Sequence, residues 1–374
     1  MKIPGELSEV CNNIATICPW NILAIVLIGS FSTAEGTFFQ IHKDEKKSLS
    51  DYDLEILVKF YDPFLLKKAN FIASQSNLKI SIGIMPISQL SKLKMIQTYD
   101  MKMKGVFIIG NKELLDSIPM EVPSDIPKYE AIRRLLNSVM EMNEAIGSCE
   151  YLNSSKRSNL TVKIKYSIAK SYLACCTALL TLVGKYLPTY QERNQLFSKL
   201  FKSYFKELHR KYPSFPIKVR LALKFKLNTK STELSEFPQE WFEARDYLLS
   251  TLKYVLSKYF RASNTNLFNL LKNLEVLPPK PFLNIAYALS LLFKKKIPPI
   301  RAFFITSMLE IQTAGVYLIK SINEDGSINE ELLNKAREKI KKFYPINKRS
   351  IKDWNSIKNV IVHAWNIAPD YSMD

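Results

Sequence analysis

The chain has 374 residues, of which 47% are hydrophobic, 24% charged and 11% aromatic, so it has apolar surface for at least one large core and room for two or three domains. That balance excludes a disordered or collagen-like chain. The net charge of +18 is uneven: residues 1–118 hold 13 Lys/Arg and 12 Asp/Glu, whereas residues 119–374 hold 40 and 23. Such a field favours polyanions, unless it serves solubility alone.

The N-terminus, MKIPGELSEV, carries acids where a signal peptide would carry basic residues, and no run reaches 18 consecutive apolar residues. Five cysteines (Cys11, Cys18, Cys149, Cys175, Cys176) lack the spacing of a zinc or redox motif, and three histidines make a His-rich metal centre improbable. The expectation is a cytoplasmic protein without stable membrane insertion.

Residues 6–18 have helical spacing. Residues 21–29 (NILAIVLIG) form a short, β-branched apolar run, the pattern of a buried strand. Strands are predicted over 53–60, 79–85 and 105–109, with helices over 63–75 and 87–103 between them. Residues 1–118 thus form an α/β (α+β) domain with a mixed sheet. Past the proline-spaced connector 119–127 (PMEVPSDIP) the strand signal fades. Helical periodicity recurs over 129–146, 163–186, 191–212, 239–259, 281–293, 299–322, 328–343 and 351–366, with prolines between segments. Residues 119–374 are therefore a basic all-α region of one bundle or two.

The stretch from Leu27 to Leu57 carries the chemistry. A strand ends at Gly29-Ser30, and about 20 residues later a second opens as Ser50-Asp51-Tyr52-Asp53-Leu54. In an extended chain Asp51 and Asp53 project from one face. Two adjacent carboxylates repel unless a cation lies between them, and Mg²⁺ prefers such oxygen ligands. Gly29 permits close backbone approach to a ligand, and Ser30 offers a hydroxyl and an N–H to a phosphate.

This order resembles the DNA polymerase β-like nucleotidyltransferase superfamily, whose signature is Gly-Ser on a strand-to-helix turn followed by Asp-x-Asp on the neighbouring strand. The resemblance covers residues ~20–115, with Glu35-Gly36 where many members carry Gly-Glu or Arg-Gly. It implies nucleotide binding by Gly29, Ser30 and Ser50, Mg²⁺ ligation by Asp51 and Asp53, and a third carboxylate on a later strand. Residues 79–84 (KISIGI) hold no acid. The substitutes are Asp100, in TYDMKMKGVFIIGN, and Glu55, on the face of Asp51 and Asp53; Asp100 is preferred.

Residues 199–230 contain ten Lys/Arg against Glu207 alone, interleaved with Phe201, Tyr204, Phe205, Tyr212, Phe215 and Phe225. That mixture suits single-stranded RNA, and equally an amphipathic helix with Phe201, Phe205 and Leu208 on one face. Residues 170–193 resemble a Lys-bearing apolar helix followed by Tyr-x-x-x-Tyr-x-x-Arg in relatives of uncertain substrate, which makes Lys170 and Tyr190 candidates for the cleft. Lys358 through His363 resembles the Arg-x4–6-His motif of helical ribonuclease domains. Lys358 lacks the planar fork of arginine, so a packed or solvent-facing His363 is the reading.

The expected activity is Mg²⁺-dependent transfer of a nucleoside monophosphate from a nucleoside triphosphate to a hydroxyl, with RNA such as tRNA the first acceptor. The alternatives are a small-molecule, sugar or protein acceptor, or a non-catalytic nucleotide-binding or toxin–antitoxin-type module.

Overall fold

The computed structural model describes residues 3–42, 45–147, 162–229, 238–263, 265–275, 308–343 and 353–367. The run Ile22–Ile28 forms strand β1, buried along nearly its whole length. It is hydrophobic at consecutive positions because helices cover both faces of the sheet, the condition that replaces alternation with a continuous apolar run. The sheet order is β5–β4–β1–β6, with β4 Tyr52–Val58, β5 Ile80–Pro86 and β6 Val106–Ile109. β1 pairs antiparallel with β4 and β6, and β4 pairs parallel with β5, so the sheet is mixed. A separate antiparallel hairpin, β2 Phe38–His42 and β3 Glu45–Ser48, was not anticipated.

The one-turn helix α2 Gly29–Ser32 follows β1, and helices α1 Gly5–Ile17 and α3 Pro63–Ala73 cover one face. Leu7, Val10 and Ile14 pack there with Ile25, Leu54, Ile56 and Leu65. The predicted helix over 87–103 is two pieces, α4 Ile87–Leu90 and α5 Ile96–Lys104. The second of these covers the opposite face, where Val26, Ile28 and Leu57 pack with Tyr99, Met101 and Tyr186. Alternation along β4 therefore places Asp53 and Glu55 on the side of Leu57, toward the helical region.

Beyond the connector come α6 Tyr129–Ala145, α7 Val162–Leu182, α8 Tyr190–Tyr204, α9 Lys206–Lys211 and α10 Phe215–Leu227. They are followed by α11 Gln239–Tyr259, α12 Leu267–Glu275, α13 Met308–Lys320, α14 Glu330–Phe343 and α15 Trp354–Ile367. Among the described residues a single buried cluster runs from Tyr129 to Ala364, so these helices share one core. The helix predicted over 281–293 and the first nine residues of that over 299–322 lie outside the described residues, as does Cys149. Cys175 and Cys176 are packed in this core, where burial pushes each thiol up to about 12.

Of the basic stretch, Phe201, Phe205, Phe215 and Phe225 are buried. The rings of Phe197, Phe201 and Phe215 lie 4.9–5.5 Å apart, a core arrangement. The amphipathic alternative is therefore the one adopted, and these rings are not available to stack on bases. Lys358 is 7% exposed and donates to the carbonyls of Ile146 and Gly147, which ties α15 to the end of α6. His363 is exposed. No helix among the described residues is long and apolar enough to cross a membrane.

A glycine holds the turn after β1 in shape. Phe31 stacks on Tyr52 at 3.9 Å between ring centroids, and a Cβ on Gly36 would stand 2.2 Å from the Phe31 ring. Gly36→Ala is expected to displace that ring and cost about 1–3 kcal/mol, read as a lowered denaturation midpoint.

Candidate functional site

The turn and the acidic pair meet because β1 and β4 are neighbours in register. Ile28 pairs with Asp53, so the chain leaves β1 at Gly29 directly beside the Asp53 side chain. Gly29 has φ +69°, and a Cβ there would stand 2.4 Å from Asp53 Oδ2. Only glycine meets both demands. Asp51 precedes the strand, and its Oδ1 lies 2.6 Å from Lys79 Nζ. That lysine side chain is 62% exposed, so the pair is loose. Ser50 is structural as well as lining: its Oγ accepts from Thr37 N–H at 2.9 Å and lies 3.1 Å from the Tyr166 hydroxyl.

These residues open onto a cavity of about 400 Å³, lined also by Arg134, Glu141, Lys170, Tyr190 and Lys226 from the helical region. Lys170 pairs with Glu141 at 2.9 Å. Burial penalises both charges, but the Lys170 ammonium, aided by Arg134, holds Glu141 below its usual range, and Glu141 with Tyr166 holds Lys170 above its own. Lys226, 2% exposed, donates to Thr37 Oγ1 at 3.3 Å and lies 4.9 Å above the Tyr190 ring. Asp53 answers this environment. Burial, and then the neighbouring Asp51, push its carboxyl up to about 6 against the opposing pull of Lys170, Lys226 and Lys79. A carboxylate pair in that condition gains from an added cation.

A larger cavity of about 1020 Å³ shares Gly29, Ser30, Asp53, Arg134 and Tyr190 with the first. Its walls add Glu55, Gln97, Asp100, Glu130 and Arg133. Glu55 is 3% exposed and accepts from Gln97 Nε2 at 2.9 Å. β5 brings Ser81 and Gly83 opposite Asp53 and Glu55, and a Cβ on Gly83 would stand 2.4 Å from Glu55 Oε2. An acid is therefore absent from β5 where the resemblance places one, and bulk at Gly83 would collide with Glu55.

Asp100 does not complete the pair. Its Oδ2 accepts from the Tyr186 hydroxyl at 2.7 Å, and Tyr186 accepts from Arg193 Nη1 at 2.5 Å. It thus belongs to a buried network joining α5 to the loop after α7 and to α8, and among the described residues no three His, Cys, Asp or Glu side chains converge as one ligand group. Glu35 has a similar joining role. It is 3% exposed and accepts from the N–H groups of Tyr190 and Gln191 at 2.7 and 2.9 Å, satisfying two orphan donors at the start of α8. Ala34, at φ +59°, takes a left-handed conformation uncommon for a side-chain-bearing residue just before it.

The structure thus brings together Gly29, Ser30, Ser50, Asp51, Asp53 and Lys170, and places Asp100 in the interdomain network. Lys79, Arg134, Tyr166 and Lys226 are additions that the sequence reading did not single out. The chain matches no protein-family profile, no curated protein and no solved structure.

The Asp100 network makes stability depend on pH. Burial, against the pull of Arg193 and the Tyr186 hydrogen bond, raises the Asp100 carboxyl to about 7. Unfolded, it would ionise near ~3.9. It therefore contributes stability at low pH that is lost as the pH rises from ~4 to about 7. Asp100→Asn stays neutral throughout, so its stability relative to the native chain is expected to increase between about pH 4.5 and about pH 7.5 in denaturant titrations.

Proposed function

We propose that this chain is a nucleotidyltransferase that moves a nucleoside monophosphate from a nucleoside triphosphate onto an acceptor hydroxyl. The observation that carries the reading is the contact of the Gly29-Ser30 turn with Asp53 in a cavity where Lys170 and Lys226 arrive from the helical region. A glycine-serine turn, adjacent carboxylates and converging ammonium groups together suit a polyphosphate more than a neutral ligand.

In this reading the acceptor oxygen forms a bond to the α-phosphorus, the bond from that phosphorus to the β-phosphate bridging oxygen breaks, and pyrophosphate leaves. Lys170, Lys226 and Arg134 hold the phosphates and offset the charge that grows on the leaving group. Asp51 and Asp53 are hard oxygen donors on one strand edge and fit a Mg²⁺ ion, with the exposed Lys79 displaced or shared. When bound, that ion supplies charge neutralisation at the phosphates and acidifies the attacking hydroxyl. Glu55, in the larger cavity with Asp53, takes the place expected for Asp100 as the carboxylate to receive the acceptor proton.

A second reading, a nucleotide binder without turnover, is favoured by the Lys79–Asp51 ion pair, which occupies part of the ligand set. Incubation with labelled nucleoside triphosphates, Mg²⁺ and pools of RNA and protein separates the two. Transfer is expected, and Asp51→Ala and Asp53→Ala should each lower it by at least about 100-fold while leaving the folded state intact by circular dichroism. Nucleotide binding with no labelled product would favour the second reading.

Lys226→Met is expected to weaken nucleotide binding by roughly 10- to 100-fold, the size of a lost charge-assisted contact, measured by calorimetry. An unchanged affinity would remove Lys226 from the phosphate site.

A further inference from the structure

The phenylalanines expected to stack on RNA from the basic helices are buried, but another set of aromatics is not. Phe64 is 74% exposed, Phe60 68%, Phe71 67% and Trp20 66%, with Tyr61 also open. Monomeric soluble proteins rarely leave so many large rings together in water without a partner.

These residues belong to one place. The Asn21 side chain donates to the Phe60 carbonyl at 3.0 Å and accepts from the Phe60 N–H at 2.9 Å, which fixes the chain after Trp20 beside Phe60. Phe64 and Phe71 lie seven residues apart on α3, hence on one helix face. α3 begins two residues after Tyr61, with Asp62 as its cap accepting from Phe64 N–H at 2.8 Å. Lys59, Lys67 and Lys68 are exposed among these rings. Tyr61 and Leu66 line the larger cavity, so the patch borders that cavity at the end of β4 away from Asp53.

The composition of the patch selects its partner. Every exposed large apolar side chain from 59 to 71 is aromatic, and Leu65 is buried beneath them. A protein groove or a lipid surface would be served as well by leucine or isoleucine. Flat rings interspersed with ammonium groups instead match successive bases on a phosphate backbone.

We propose that the Trp20–Phe60–Phe64–Phe71 surface is a stacking platform for a single-stranded nucleic acid whose terminal hydroxyl enters the larger cavity beside Asp53 and Glu55. The assignment of that strand as acceptor rests on the nucleotidyltransferase reading; the binding surface does not. Aromatic stacking gives affinity with little preference for base, and Lys67 and Lys68 give it salt dependence.

The test is fluorescence anisotropy of labelled single-stranded RNA and DNA oligonucleotides with the full chain. Phe60→Ser/Phe64→Ser should weaken binding at least tenfold with the thermal unfolding midpoint unchanged, and Lys67→Gln/Lys68→Gln should flatten the salt dependence. Binding is read without nucleoside triphosphate or Mg²⁺, so a failure of catalysis and a failure of the platform give different results. Platform-dependent binding without transfer would sustain this surface while removing the enzymatic reading. Equal affinity in the Phe60→Ser/Phe64→Ser chain, no oligonucleotide binding at all, or a patch whose substitution abolishes only self-association or adhesion to anionic vesicles would overturn the proposal.

Discussion

The candidate site depends on one contact, that between the backbone at Gly29 and the carboxylate of Asp53. It exists because β1 and β4 pair with Ile28 opposite Asp53, and because Gly29 turns the chain with a positive φ that a side chain would resist. Everything else follows from its position. The turn carries Ser30 to both cavities, and the chain beyond it returns through Ala34 to place Glu35 under the start of α8. The turn and Glu35 thereby aim the helical region, and with it Lys170 and Lys226, at the acidic pair.

Electrostatically the site gathers acidic and basic groups at a cost. Asp53 is half-buried beside Asp51, and its carboxyl rises although three lysines pull the other way. Lys226 is enclosed by Tyr166, Tyr190 and Thr37. Burying like charges near each other is costly unless something neutralises them. Phosphates facing the lysines and a cation between the aspartates would relieve both groups, and this complementarity weighs more than any single residue.

Much of this was legible in the residues. β1 and β4 stand out as continuous apolar runs because both faces are covered, and Gly29, Ser30, Asp51 and Asp53 follow from their places at the ends of those runs. The hairpin Phe38–Ser48 was hidden by its charged composition, which reads as a loop. Helix α10 was hidden by Pro213 and Pro216, although Pro216 occupies the first helical turn, where proline is tolerated. Missing that helix meant missing Lys226. Asp100 stands out in the sequence through the segment TYDMKMKGVFIIGN, whereas the partners that hold it in space, Tyr186 and Arg193, lie more than 80 residues away. The aromatics of 201–225 alternate with lysines as an amphipathic helix and an RNA surface both do, and only burial distinguishes them.

The ring of Tyr186 lies in the core of the sheet domain although its chain belongs to the helical region, and Glu35 finishes a helix in the other half. The proline-spaced connector is therefore a boundary in composition and not in cooperativity. Severing the chain there would leave one fragment without the ring that completes the core beneath α5, and the other with two unsatisfied N–H donors at the start of α8 and a bare tyrosine. The two halves should melt together in one calorimetric transition.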